Sequence, residues 1–321
     1  ELGFCWAAWL GSFSIQYYAI RLTVRKRGMP ILKGLVSALL LTLNTLFWGV
    51  PLILLTLLKL IVPGQRLKQK VLLGLNAVAL NWIGFNLWWM RRWLKPDVSI
   101  TVPEQLSPQQ WWLVISNHRS WTDIFMLFMA LHRRIPMPRF FLKRQLIWIP
   151  IVGLAFWALE FPFMRRFSRE QIAKNPKLAT IDRTSTERMC QQARNAPIAI
   201  FNFVEGTRFS VAKRDAQQSP YRHLLRPKAG GVAQVLSLLG SQLDGILDVT
   251  ISYTNPSPTF WGFLCGNEAP ITLYARQLDI PQWMYAPNNH DEKQHKERFH
   301  TWINSLWREK DGLLDGQTDH D

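Results

Sequence analysis

A histidine and an aspartate stand five positions apart, as His118 and Asp123, in the run Ser116-Asn117-His118-Arg119-Ser120-Trp121-Thr122-Asp123. If Ser120 or Thr122 opens a helix, Asp123 falls in its first turn and the preceding loop folds His118 back over the carboxylate. The carboxylate then holds one ring nitrogen and leaves the other as a base. That is the His-Asp half of a catalytic triad, and it needs no serine or cysteine because a substrate hydroxyl can be the nucleophile. A capping Asn beside a satisfied core His is the alternative, and the Asn and Asp at set offsets weigh against it.

A second constellation, Glu205-Gly206-Thr207-Arg208, combines a glycine that permits close backbone approach, amide and Thr donors, and the planar fork of an arginine. Those parts suit a phosphate. Taken alone such a turn is a weak signal, but two complementary loops together are a stronger one. Between them lie Lys143 and Arg144, next to the apolar run up to Gly153, and then Arg165 and Arg166. That run is too short to span a bilayer, so it reads as a membrane-surface segment or a buried helix, and Lys143 and Arg165 are the candidate substrate-binding cations. Cys5, Cys190 and Cys265 show no CxxC or Cys/His ligand spacing, so no metal site and no disulfide framework is expected, and a reducing, cytosol-facing domain fits.

Chemistry of this kind sits at strand exits in α/β domains, and the flanking sequence supplies them. Trp111–Ile115, Ile198–Val204 and Ile246–Tyr253 read as buried strands, with the first two running directly into the two constellations. Val232–Leu239 and Phe299–Leu314 read as helices, the second amphipathic and ending in Gly316. This texture begins after Pro96, so residues 96–314 are expected to form one α/β domain with a central mixed sheet flanked by helices. Asp315–Asp321 is expected to be a disordered polar tail.

Residues 31–95 read differently. Gly34–Leu58 is a Leu-rich run of 25 residues without charge, longer than the ~20 that cross a hydrocarbon core as helix. Val71–Met90 is also uncharged but is interrupted by Asn76, Asn81 and Asn86, and reads as more interfacial. Every flank is positive, with Arg25, Lys26, Arg27 and Lys33 before, Lys59, Arg66, Lys68 and Lys70 between, and Arg91, Arg92 and Lys95 after. Positive flanks belong on the cytoplasmic side, so a re-entrant helix pair bent at Gly49, Val50 and Pro51 suits them better than a two-crossing hairpin. Residues 1–30 are an extension of uncertain status: the stretch before Met29 begins without Met and is apolar from Leu2 to Ile20. It is either a third hydrophobic segment or a translated upstream stretch, and is left out of fold reasoning.

The 321 residues carry a net charge of +16 although only 19% are charged, a pairing that suits contact with anionic membrane lipids. Nucleic acid is the competing partner for such charge. Sixteen tryptophans favour the membrane, and the charge-free runs argue against a nucleic-acid surface.

With these residues in view, the chain resembles the glycerolipid acyltransferases that include 1-acylglycerol-3-phosphate acyltransferases, whose signature is Asn-His, four residues, Asp. The resemblance covers about residues 35–315 and is closest to a bacterial inner-membrane branch, through the strings NHRSW, FLKRQL, WIPIVGLAFWAL, NFVEGTRF, PKAGG and WINSLWREKD in this order. It implies a hydrophobic tunnel for an acyl chain, a membrane-seated amino-terminal helix pair, and a catalytic domain facing the cytoplasm. It further implies acyl transfer from acyl-CoA or acyl-carrier protein to the sn-2 hydroxyl of lysophosphatidic acid, with no other cofactor and no acyl-enzyme. The family's base and orienting acid carry over to His118 and Asp123, its acceptor-phosphate residues to Glu205, Gly206, Thr207 and Arg208, and its mid-motif cations to Lys143 and Arg165. Two departures, Val204 where the commoner loop has Pro and no proline in Ile246–Tyr253, leave chain length and acceptor open among lysophospholipids. Hydrolysis, with water as acceptor, is a further alternative.

Overall fold

The computed structural model describes residues 4–164, 175, 184, 186–187, 189–191, 193, 196–268, 270–286 and 292–318, with side chains from Met29 to Gly316. In chain order the elements are α1 (Phe4–Ile61), α2 (Gln65–Trp89), β1 (Val98–Thr101), β2 (Trp112–Ser116), α3 (Thr122–Leu131), β3 (Pro138–Phe140), β4 (Leu142–Lys143) and α4 (Val152–Ala158). They continue as β5 (Phe163–Met164), β6 (Ala199–Phe203), α5 (Val211–Ala216), α6 (Ala229–Leu239), β7 (Gly245–Tyr253), α7 (Phe260–Leu264), β8 (Ile271–Leu278) and α8 (Glu292–Thr318).

Six strands form one mixed sheet in the order β1-β8-β7-β2-β6-β3, parallel throughout except where β7 meets β8. Strand side chains alternate between faces, and β2 shows it: Trp112 and Val114 join the core completed by α1 to α4, whereas Leu113 and Ile115 join the core of α6 and α8. With both faces covered, all nine residues of β7 are buried. Register sets the site. Ser116 lies level with Phe203 on one side and Val249 on the other, so β2 and β6 end together and their exit loops meet.

The chain reverses at Val62–Gly64 rather than at Gly49–Pro51: the helix runs unbroken through Pro51, and α2 returns from Gln65. The lost amide donor at Pro51 is one missing bond in a long helix packed on a neighbour, which such a helix tolerates. α1 is built inside out. Its inward stripe is small or polar, with Gly34, Ser37, Asn44, Gly49 and Thr56 beside Leu52, while Leu39, Leu43, Phe47, Leu54 and Leu57 face outward at 51–69% exposure. Asn44 Nδ2 donates to the Trp82 carbonyl at 3.0 Å and Trp82 Nε1 donates to Thr45 at 3.1 Å, fastening α1 to α2. Leu75, Ile83 and Leu87 of α2 are almost fully buried, each worth about 1.5–3 kcal/mol.

Both ends of the outer helix are tied down, the first to the turn that closes α2 and the second to the α/β body. Lys33 Nζ donates to the Leu94 carbonyl at 3.1 Å, and Lys59 Nζ bonds Glu160 at 2.6 Å and the Ala158 carbonyl at 2.9 Å. The three asparagines of α2 also have tasks: Asn76 accepts from Arg139 at 3.1 Å, Asn81 from Arg133 at 2.9 Å and Asn86 from Trp89 at 2.9 Å. At the far terminus, helix continues through Asp315 to Thr318, and Asp315 accepts from His223 at 2.8 Å and Arg222 at 3.1 Å. Residues 315–318 are therefore helix and not part of a disordered tail, with Arg222 and His223 holding Asp315.

Candidate active site

His118 occupies the loop between β2 and α3, and α3 starts at Thr122, so Asp123 lies in its first turn. His118 Nδ1 and Asp123 Oδ2 are 2.8 Å apart, with the carboxylate fully buried and the imidazole 14% exposed. The other ring nitrogen, Nε2, is left for substrate. Asp123 is held rigidly: Oδ2 also accepts from the Arg119 amide at 2.6 Å and the Ser120 amide at 3.0 Å, and Oδ1 accepts from the Tyr253 hydroxyl at 2.5 Å. Charged acceptors of this kind make the stronger class of hydrogen bond. The imidazole stacks on Phe203 at 4.0 Å between centroids, so its plane is fixed as well as its edge.

Tyr253 is the participant that sequence reading missed. It closes the third strand, and nothing in its type or spacing links it to a histidine loop 135 positions earlier. Burial, then the charge of Asp123, push its phenol well above the usual range, so it remains a donor at neutral pH. Asn117 has a positional role: its amide donates to the Ile251 carbonyl and accepts from the Ile251 amide, both at 2.9 Å, stitching the loop to β7.

The loop after β6 comes alongside. The Phe209 amide donates to the His118 carbonyl at 2.7 Å and the Val204 amide to the Ser116 carbonyl at 3.2 Å. Gly206 sits at φ +70, where a Cβ would be strained and would stand 3.2 Å from Lys228 Cδ. Gly206, Thr207 and Arg208 all line the same cavity as His118, and Arg208 is exposed, its guanidinium 5.2 Å from the Trp121 ring centre. Lys213 adds a cation that sequence reading passed over, with Nζ donating to Thr207 Oγ1 at 3.0 Å and to the Arg208 carbonyl at 2.8 Å.

Glu205, expected with the phosphate-holding residues, is placed otherwise. It is fully buried and absent from the cavity wall, and its oxygens accept from the His118 and Leu225 amides, each at 3.2 Å. It braces the His118 loop from behind. Burial outweighs those two bonds and raises its carboxyl to about 8, so near neutral pH it adds little negative charge beside a bound anion. Lys143 lines the cavity and is exposed, whereas Arg165 lies outside the described residues.

The cavity itself, about 490 Å³, runs from His118 and Arg208 into apolar surroundings. Trp48 and Leu52 of α1, Trp82 and Ile83 of α2, and Phe125 and Phe128 of α3 form its walls. The helix pair is therefore part of the site. Such a space accepts an alkyl chain at one end and an anion at the other.

A family description titled Acyltransferase matches residues 97–254, a span that holds His118, Asp123, Glu205 to Arg208 and Tyr253. Over 240 residues the chain is 25% identical to a 2-acyl-1-lysophosphatidylinositol acyltransferase of Saccharomyces cerevisiae, covering 63% of this chain and 60% of that one. Over 215 residues it is 26% identical to the 1-acyl-sn-glycerol-3-phosphate acyltransferase delta of Homo sapiens, covering 63% and 51%. Among solved structures, the 1-acyl-sn-glycerophosphate (LPA) acyltransferase PlsC from Thermotoga maritima aligns with a TM-score of 0.47 at 16% identity, over 85% of this chain and 93% of that one. The chain spans between about half and three fifths of the length of these two curated relatives. The family match falls on the α/β domain that carries His118 and Asp123. In sequence the chain is similar to glycerolipid acyltransferases.

Proposed function

We propose that this protein transfers a fatty acyl group from an acyl thioester, acyl-CoA or acyl-carrier protein, to the sn-2 hydroxyl of lysophosphatidic acid. The observation that carries the reading is the 2.8 Å contact of His118 Nδ1 with a buried Asp123, on the wall of a cavity that is apolar at one end and cationic at the other. His118 Nε2 removes the hydroxyl proton as that oxygen attacks the thioester carbonyl, and Asp123 stabilises the imidazolium. Collapse of the adduct expels the thiolate, which takes the proton from His118, leaving an ester and a free thiol. Thr207, Arg208 and Lys143 face the acceptor phosphate, and the acyl chain enters between α1, α2 and α3.

The helix pair seats the enzyme on the membrane by lying along it. Next to Lys33, Gly34 packs against Cys265 and Trp261 of the α/β body, Lys59 bonds Glu160 of the same body, and the roughly 26 residues of helix from one to the other span about 39 Å. A crossing of a ~30 Å hydrocarbon core would drag one of those attachments into lipid. Lying flat, α1 turns its large apolar side chains to the membrane and the cationic flanks reach one leaflet. We place that leaflet on the cytoplasmic side of a bacterial inner membrane.

Purified protein in detergent, supplied with lysophosphatidic acid, lysophosphatidylinositol or monoacylglycerol and a panel of acyl-CoA and acyl-carrier protein donors, tests the reading. Lysophosphatidic acid should be the best acceptor, and His118→Ala should abolish transfer while leaving the protein folded. Preference for lysophosphatidylinositol would move the acceptor assignment, and turnover by folded His118→Ala would remove the base.

A further inference from the structure

At the end of α3 remote from Asp123, a second cavity of about 480 Å³ opens between the last turns of α2 and the turn that follows α3. The 10 residues of α3 put it about 15 Å from the catalytic pair. Its walls include Trp88, Arg91, Arg92, His132 and Arg133, with Gly84 on the floor. A Cβ at Gly84 would stand 3.3 Å from His132 Nε2, a tight contact that brings the ring close against the helix. Three arginines line the one groove, and among the described residues no carboxylate pairs with any of them. Arg91 Nη2 donates to the Met129 carbonyl at 3.2 Å and Arg133 Nη2 to Asn81 at 2.9 Å, contacts that each engage one arm of a five-donor fork.

The surroundings decide which anion fits. The exposed stripe of α2 leads to these arginines through Leu73, Phe85 and Trp88, exposed by 69%, 41% and 60%, and the two aromatic rings lie 5.4 Å apart. A soluble phosphate has no use for that apolar approach. A membrane lipid has the same order, tail and then charge, and aromatic residues beside arginine mark the depth of its headgroup. We infer that this groove binds the headgroup of an anionic glycerophospholipid, with its phosphate among Arg91, Arg92 and Arg133 and its chains along Trp88 and Phe85. The site is separate from the catalytic cavity, and it rests on the membrane seating proposed above.

Native mass spectrometry of the full chain in detergent, titrated with phosphatidylglycerol or phosphatidylcholine, reads the site directly. Wild type should take up one phosphatidylglycerol saturably and phosphatidylcholine far more weakly. Arg92→Gln with Arg133→Gln should weaken phosphatidylglycerol binding about 30-fold, at roughly 1 kcal/mol per arginine and ~1.4 kcal/mol per factor of ten. Should that pair fail to fold, Arg92→Gln alone should cost about fivefold on the same scale. Lys68→Gln with Lys70→Gln, an equal change of charge at the other end of α2, should leave the one-lipid adduct intact. Equal losses in both pairs, an adduct that survives in the arginine pair, or displacement of the lipid by acyl-CoA would each overturn the assignment. Flotation of wild type with vesicles separates the two readings: floating without a phosphatidylglycerol adduct sinks the groove alone, and failure to float sinks the membrane seating.

Discussion

Replacing Asp123 by asparagine removes one charge and asks whether the imidazole keeps its orientation. In the familiar serine-protease case the amide inverts the histidine tautomer, and the rate falls about 10⁴-fold. Here the geometry opposes inversion. Three N–H donors, from His118, Arg119 and Ser120, converge on Oδ2, so in Asp123→Asn the new amide oxygen is compelled to that side and the NH₂ faces Tyr253. A tyrosine hydroxyl can switch from donor to acceptor, which satisfies the NH₂ group. The loss is then only the charge that stabilises imidazolium. A charge pair at ~4 Å in an effective dielectric of ~20 is worth about 4 kcal/mol, and the surviving neutral hydrogen bond returns part of that. We expect a net cost of about 2–4 kcal/mol, a fall in kcat of roughly 30- to 1000-fold with KM for the acceptor little changed. Steady-state transfer with saturating donor measures it. A fall of about 10⁴-fold in folded protein would refute the pivot assigned to Tyr253, and an unchanged kcat would refute imidazolium formation.

Three further substitutions probe the neighbouring parts. Tyr253→Phe deletes only the hydroxyl on Asp123 Oδ1, so kcat should fall about tenfold at constant KM; the freed carboxylate should also move the acid limb of the pH–rate profile upward, a shift that a packing defect would not give. Arg208→Lys replaces a planar fork by a point charge and should raise KM for lysophosphatidic acid but not for monoacylglycerol; equal losses with both acceptors would make Arg208 structural. For Glu205 the folded carboxyl lies at about 8, against an ordinary value of 4.5, so the folded state holds the extra proton between those values. Stability should therefore decline as pH rises from about 4.5 through 8, by up to roughly 5 kcal/mol, and thermal melts of Glu205→Gln should lose most of that slope. An identical pH slope in the variant would show that Glu205 is ionised in the fold.

The contact of His118 with Asp123 was legible because its signal is local. His118 and Asp123 lie five positions apart, within reach of one turn, and the three apolar runs that became β2, β6 and β7 kept their boundaries to within a residue or two. The loop that brings Gly206, Thr207 and Arg208 to the cavity of His118 was legible for the same reason, through a glycine that takes a positive φ and an arginine two residues on. Glu205 was not, because the sequence cannot tell which side of a loop a carboxylate takes; the fold turns it under His118, where the His118 and Leu225 amides reach it. Tyr253 needed β7 to pair with β2 before its hydroxyl could meet Asp123. Composition alone marked residues 34–58 and 71–90 as membrane-seeking, but which side chains face lipid depends on what covers the others. That is settled by tertiary contacts with Trp82, Ile151 and Glu160, which turn the polar stripe of α1 inward and make the helix pair a wall of the catalytic cavity, because buried polar groups require partners that only the folded chain brings near.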